Sequence, residues 1–221
     1  MSDMRVKLRR WLAVTVVVGG GMLALSGEWR SPIVWTFVVG VSALVLYAML
    51  AMESDLASER FHPPSPGLDR VALRWIRVAA LAAVIVAPLD GGRFHWSPPV
   101  SDLVRLSGVV GALMAFALCF RAMVVNRYFS VVIRIQDDRG HRVVDAGPYA
   151  VIRHPGYAGM IAGVPLMAIG FGSWWGFALA CIYSLLILRR VAVEDRFLRA
   201  KLAGYPEYAA RVTSRLLPGV W

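Results

Sequence analysis

Long apolar runs joined by short polar links constrain this chain more than any other feature. Trp11 to about Ser26, a second run ending near Met52, and runs over about 71–89 and 103–125 are broken by few charges. Each approaches the ~20 apolar residues that a helix needs to cross a ~30 Å hydrocarbon core. Two shorter runs, about 157–172 and 175–188, are separated only by Gly172-Ser-Trp174. They are expected to form a hairpin, fully spanning or re-entrant. In hydrocarbon every backbone N–H and C=O must be bonded within the protein. The expected fold is therefore all-α: a polytopic membrane helical bundle with five to six membrane-embedded helices. Residues 1–125 supply a bundle of four spans. Residues 126–221 supply a polar loop, the hairpin and a C-terminal tail, and the two parts read as one structural unit. Composition agrees, since 58% of the 221 residues are hydrophobic and 17% are charged, against about a quarter charged in soluble domains.

The formal charge of +10 raises the question of nucleic acid, and its distribution answers it. Arg5, Lys7, Arg9 and Arg10 precede the first run. Arg60 and Arg70 fall in the loop 53–70, which also holds three prolines, and Arg74 and Arg77 follow just inside the third run. Arg121, Arg127, Arg134, Arg139, Arg142 and Arg153 surround the polar stretch, and a further cluster fills 189–221. The alternate links hold only Arg30, Arg93 and Arg105. That asymmetry is the positive-inside pattern of a multi-pass membrane protein with both termini cytoplasmic. Basic loops facing anionic lipid heads account for the charge, so no nucleic-acid partner is expected. Trp29, Trp35, Trp96, Trp174 and Trp175 fall at the opposite helix ends, as an aromatic belt requires. The basic start followed by an apolar run also fits a signal peptide. With no small-x-small cleavage site and further spans following, an uncleaved first span is expected.

The polar interruption between the fourth and fifth runs carries the chemistry. Its sequence, His141-Arg-Val-Val-Asp-Ala-Gly-Pro-Tyr149-Ala-Val-Ile-Arg153-His154-Pro-Gly-Tyr157, is basic and rich in turn formers. Gly147-Pro148 ends any helix entering from 142–146, because the residue before proline avoids the α region. Asp145 is expected to cap a short helix from about Tyr149, and Pro155 to disturb that helix near Arg153-His154. The result is an irregular basic loop across the mouth of the bundle, on the cytoplasmic side. Such backbone survives at membrane depth only where it is buried in protein or lines a cavity. The same residues would also serve as phosphate contacts (Arg153, His154) and interface anchors (Tyr149, Tyr157), so physics alone leaves both readings open.

A second constellation lies at the end of the last apolar run. Arg190 and Glu194 are four residues apart and share one helix face. They read either as a surface ion pair or as a cation and an anion at a cavity edge, and ionisable groups at membrane depth favour the second. The tail from 189 is expected to be helical until Pro206. His141 and His154 have no third ligand at metal-binding spacing. Cys119 and Cys181 sit in apolar runs and suggest neither a disulfide framework nor a metal site.

His141-x-Val-Val-x-x-Gly-Pro-Tyr149-x-x-x-Arg-His-Pro-Gly-Tyr157 resembles the signature of the isoprenylcysteine carboxyl methyltransferase family. Glu194-Asp195-x-x-Leu198, Gly204-Tyr205-Pro-Glu-Tyr208 and Arg215-Leu-Leu-Pro218 extend the resemblance, which covers about residues 120–221. It implies an integral-membrane enzyme using S-adenosylmethionine and releasing S-adenosylhomocysteine. It implies cofactor contacts from Gln136, from His141 to Val144 (with Val143 and Val144), from Tyr149, from His154-Pro155-Gly156-Tyr157, and from Glu194. Arg190 corresponds to the family's substrate contact. Val143 replaces the usual Leu, and Asp195 replaces the usual second Glu. The cofactor carries an amino-acid head with both charges, so Glu194 suits its ammonium and Arg153 or His154 its carboxylate. Arg190 and Glu194 are the expected catalytic pair.

The acceptor implied is lipophilic, with the carboxylate of an isoprenylcysteine-like molecule first. A carboxylate is already ionised at neutral pH and needs no base, and a guanidinium matches it in bidentate fashion. A phospholipid amine or a hydrophobic thiol within the same superfamily is the alternative. An NADPH-dependent sterol-reductase-like enzyme ranks lower, because Gly147-Pro-Tyr replaces the Trp pair those enzymes favour. A non-enzymatic scaffold or a transporter leaves both ordered motifs unexplained. Oligomeric state is not legible.

Overall fold

The computed structural model describes residues 2–52, 59 and 67–221. Of the proline-containing loop expected over 53–70, residues 53–58 and 60–66 lie outside the described residues. Two long helices come first, Ser2–Ser26 (α1) and Pro32–Ala51 (α2). Arg70–Pro88 (α3) continues into a π-helical turn, Leu89–Phe94, and Asp102–Val125 (α4) follows. The polar stretch carries only 3-10 turns at Asp137–Arg139 and Gly147–Ala150. Pro155–Gly170 (α5), Trp174–Lys201 (α6) and Tyr205–Arg211 (α7) complete the chain. The described residues are all-helical, with no strand. Among the described residues, five helices are long and apolar enough to cross a membrane, and α5 is a shorter apolar helix. The chain is a multi-pass membrane protein.

Capping explains where α2 and α6 begin. Ser31 accepts from the Val34 N–H with proline following at the first helical position, and Ser173 accepts from Gly176. Both are the usual solutions for orphan N–H groups. Helix α5 lies antiparallel on α4 in the most extensive helix pair of the fold. Glycines make this possible. A Cβ on Gly159 would lie 2.4 Å from the Ala115 carbonyl, and one on Gly163 would lie 2.5 Å from the Phe116 ring. Small residues at the contact replace the hydrophobic driving force that lipid cannot supply. The pairing runs from Cys119 beside Gly159 to Val109 beside Gly170, so α5 follows α4 to the far end of the bundle.

That far end is tied by polar contacts between three connections. Buried Asp90 accepts from the Ser97 N–H at 2.7 Å, from Ser97 Oγ at 2.6 Å and from Ser173 Oγ at 2.5 Å. Arg105 donates to both oxygens of Glu28, at 3.1 and 2.5 Å, and Arg93 Nε donates to the Leu25 carbonyl at 3.1 Å. Trp29, Trp35, Trp96, Trp174 and Trp175 are all exposed there. The opposite end is left to the polar stretch.

Three local expectations are corrected. Asp145 caps nothing: the turn at 147–150 begins from Ala146 without a side-chain cap, and Asp145 instead meets Arg211 at 3.0 Å. Gly147 has φ +58, which reverses the chain before any helix can start. Pro155 does not disturb a helix; it opens α5, where a missing N–H costs nothing. The tail is not helical from 189 all the way to Pro206. Helix α6 continues to Lys201, breaks at Leu202–Gly204, and α7 then starts at Tyr205 with Pro206 in its first turn.

Candidate functional site

One cavity of about 190 Å³ opens at the end of the bundle where the polar stretch lies. Its walls come from the first turns of α3 and α5, from the segment 126–144 and from one stripe of α6. That stripe is Tyr183, Ile187, Arg190, Glu194 and Leu198, spaced as one face of a helix requires. Gln136, His141, Val143, Val144, Tyr149, Arg153, His154, Gly156, Tyr157, Arg190 and Glu194 all line it. Pro155 does not; it is buried in the first turn of α5 and sets that helix's start.

Arg190 and Glu194 share the expected face but do not pair with each other. The Tyr157 hydroxyl stands between them. It donates to Glu194 Oε2 at 2.6 Å and accepts from Arg190 Nε at 2.9 Å. Arg190 Nη2 donates to the Val131 carbonyl at 2.7 Å. Arg190 is only 3% exposed, so its charge is held by these contacts rather than by water. Among the described residues, Glu194 Oε1 and Arg190 Nη1 have no protein hydrogen-bond partner. One anionic and one cationic atom are therefore left for a ligand.

Arg153 and His154 are committed elsewhere, which corrects the expectation that either waits for a ligand carboxylate. Asp195, fully buried, is their partner. Arg153 Nε donates to Asp195 Oδ1 at 2.8 Å, and Arg153 Nη1 donates to the Val212 and Thr213 carbonyls at 2.6 Å each. His154 Nε2 lies 3.3 Å from Asp195 Oδ1, and the Tyr205 hydroxyl donates to the same oxygen at 3.0 Å. Arg199 and Arg215 reach Oδ2 at 3.2 and 3.1 Å. The backbone N–H groups of Arg153 and His154 bond the carbonyls of Ser214 and Arg215. Asp195 thus ties the motif to the tail. A buried carboxylate with this many donors holds a unique arrangement because any broken member leaves a charge stranded.

The loop wall is built by its own side chains. Gln136 is buried; its Nε2 donates to the Tyr128 carbonyl at 2.7 Å and its Oε1 accepts from Arg139. His141 Nδ1 accepts from the Gln136 N–H at 3.3 Å, and its ring sits 4.5 Å from that of Tyr128. Burial lowers the His141 pKa to about 4, despite the opposing influence of Asp137. It is a neutral ring with Nε2 carrying the proton. The Tyr149 hydroxyl donates to the Ala122 carbonyl and accepts from Asn126, each at 3.3 Å, and burial raises its pKa. Tyr208 donates to the Tyr149 carbonyl at 2.7 Å, so the tail fixes this turn as well. Glu59 accepts from Arg134 Nε at 3.1 Å, from Nη2 at 2.8 Å and from Ser130 at 2.9 Å. Burial pushes the Glu59 carboxyl up, but the Arg134 and Ser130 hydrogen bonds outweigh it and hold the group low.

Sequence reasoning missed Asp195, Tyr205 and Tyr208 as members of this assembly. Adjacent acids at Glu194-Asp195 were the available signal: neighbours on a helix point about 100° apart, so one faces the cavity and the other the tail.

Residues 109–200 match the model of the isoprenylcysteine carboxyl methyltransferase (ICMT) family. The chain is similar to the probable protein-S-isoprenylcysteine O-methyltransferases of Oryza sativa subsp. indica and subsp. japonica, 33% identical to each over 97 residues. Those residues are 41% of this chain and 49% of each relative, so the chain spans about half the length of the curated relatives it matches. The matched part is ICMT-like and includes α5, most of α6 and the whole polar stretch. It holds every cavity group discussed above except Tyr205, Tyr208 and the start of α3.

Proposed function

We propose that this protein is an S-adenosylmethionine-dependent methyltransferase that esterifies the carboxylate of a lipophilic, isoprenylcysteine-like acceptor at the cytoplasmic membrane face. The observation that carries the reading is the line Glu194–Tyr157–Arg190. It presents a free carboxylate oxygen and a free guanidinium nitrogen inside a single cavity.

The donor set suits both reactants. Glu194 Oε1 would take the cofactor's ammonium group, while backbone along His141–Val144 and the rings of Tyr149 and Tyr157 enclose the rest of it. When bound, S-adenosylmethionine supplies an electrophilic methyl group. Arg190 holds the acceptor carboxylate by charge-assisted hydrogen bonding, and Val131 fixes the guanidinium from behind. Methyl transfer to an ionised carboxylate moves no proton, so the chain's task is to orient the reactants and exclude water. The cavity's remaining titratable groups agree. With its pKa lowered to about 4, His141 is a poor base for an amine or thiol acceptor. The acceptor's apolar part would lie against Leu73, Ile76, Met160 and Ile187. The charge asymmetry of the links supports a cytoplasmic site and cytoplasmic termini.

Thermal unfolding of the purified chain in lipid nanodiscs tests the cofactor half. S-adenosylmethionine and S-adenosylhomocysteine are expected to raise the midpoint, and Glu194→Gln to reduce that effect. Stabilisation by NADPH instead would favour the reductase reading. No response to either nucleotide would leave a binding scaffold.

A further inference from the structure

The cavity reaches from the polar stretch into the helical bundle along three helices. Each of its three helical walls has a deepest lining residue, counted from the mouth: Ile76 on α3, Met160 on α5 and Tyr183 on α6. Tyr183 lies seven residues before Arg190 on the same α6 stripe, about 10 Å along the axis at ~1.5 Å per residue. Everything lining α6 between the guanidinium and Tyr183 is apolar, namely Ile187. Tyr183 is 6% exposed. Its hydroxyl has no hydrogen-bond partner among the described residues, and it is not among the atoms sealed away by protein. A buried phenol normally finds a partner, and an unpaired one in an apolar setting is costly. Core packing does not explain why the floor of an apolar arm should be a tyrosine rather than a phenylalanine or leucine.

We propose that Tyr183 is a specificity-determining residue: it closes the apolar arm of the acceptor site and sets the length of the lipophilic group that Arg190 can present for methylation. This rests on the methyltransferase reading for the identity of the acceptor, but the length limit belongs to the cavity itself. With its carboxylate on Arg190, the acceptor lays its chain along Ile187 and ends against the Tyr183 ring. A longer chain meets the ring and must fold back or withdraw its carboxylate from the guanidinium. The limit is therefore set by ring bulk, and the hydroxyl adds a polar terminus that disfavours further apolar extension.

The test uses the full chain in lipid nanodiscs and a series of N-acetyl-S-alkyl cysteines from butyl to eicosyl. Two readouts are taken: thermal stabilisation by each acid, which needs no turnover, and transfer of labelled methyl from S-adenosylmethionine. Stabilisation should rise with alkyl length, pass a maximum and fall. Tyr183→Val should move the maximum to longer chains and Tyr183→Trp to shorter ones, opposite shifts that misfolding does not produce. Tyr183→Phe should keep the maximum and bind the chains beyond it several-fold better. A rise without a maximum in the wild-type chain, or a maximum unmoved by the Val and Trp changes, overturns the proposal. Shifted stabilisation maxima without any methyl transfer would uphold the length limit and overturn the methyltransferase reading.

Discussion

Arg153 and Asp195, 42 residues apart in the chain, form a buried ion pair with Nε and Oδ1 2.8 Å apart. Both side chains are almost fully removed from solvent, at 2% and 0% exposure. The pair joins the loop that ends at α5 to the face of α6 turned away from the cavity. It holds two sequence motifs separated by a helical hairpin beside each other.

Breaking that pair from the acid side strands several cations. Asp195→Asn is expected to destabilise the folded protein by about 3–5 kcal/mol, as for other buried pairs that lose one partner. The double change Arg153→Met, Asp195→Asn should cost less than the two single changes added together. Denaturant titration of the detergent-solubilised protein measures both. A loss for Asp195→Asn within the range of a surface substitution would mean the network carries no stability.

Arg190 and Glu194 should separate kinetically, because Tyr157 lies between them. Arg190→Lys keeps a charge but loses the planar fork. Losing one charge-assisted hydrogen bond costs about 1.5–3 kcal/mol, a fall of roughly ten- to a hundred-fold in kcat/KM for the acceptor. Cofactor affinity should change little. Glu194→Gln should give the reverse pattern. Tyr157→Phe should impair both ligands, and an unaffected Tyr157→Phe enzyme would remove the phenol from the site.

The acidic limb of stability should report His141. Its folded pKa is lowered to about 4 from the ordinary 6.5, so the unfolded chain binds the proton more tightly. The stability held by the neutral ring is present above about pH 6.5 and is lost as pH falls from there toward 4. His141→Gln should flatten this part of the stability–pH curve. Equal slopes in the two proteins would contradict a buried neutral ring. Activity on a carboxylate acceptor should stay flat from neutral to mildly alkaline pH, where an amine or thiol acceptor would show a rising limb.

Helix contact predicts a contrast between glycines. Gly159→Ala places a methyl 2.4 Å from the Ala115 carbonyl, and overpacking of this kind costs about 1–3 kcal/mol. Gly20→Ala meets nothing within 4 Å and should be neutral or slightly stabilising. Unfolding midpoints of the two variants decide it, and equal effects would deny the close approach of α4 and α5.

Much of this architecture was legible because a bilayer allows few solutions. Most apolar runs became helices near their expected bounds, since a long apolar segment in hydrocarbon satisfies its own backbone only as a helix. The side-chain stripe Arg190–Glu194 followed from helical periodicity alone. What stayed hidden depended on contacts distant in sequence. Asp145 has the composition of a cap, yet Gly147 at φ +58 turns the chain away first. Arg153 and His154 look like ligand groups in a basic loop, and only the return of the tail beside Asp195 shows where they are spent. Tyr157 was visible as a motif residue, but its place between Arg190 and Glu194 required both α5 and α6. The α6 helix outran its apolar segment because nothing before Leu202 breaks it, and polarity alone does not end a helix.

The most direct measurement is methyl transfer by the purified chain in nanodiscs, with methyl-labelled S-adenosylmethionine and the N-acetyl-S-alkyl cysteine of the length that stabilises the chain most. The predicted result is label in the acceptor that base hydrolysis releases as methanol, suppressed by S-adenosylhomocysteine and lost in Arg190→Ala. Label retained after base treatment, as on an amine or a thioether, or no transfer from a protein that binds the cofactor, would contradict carboxylate methylation.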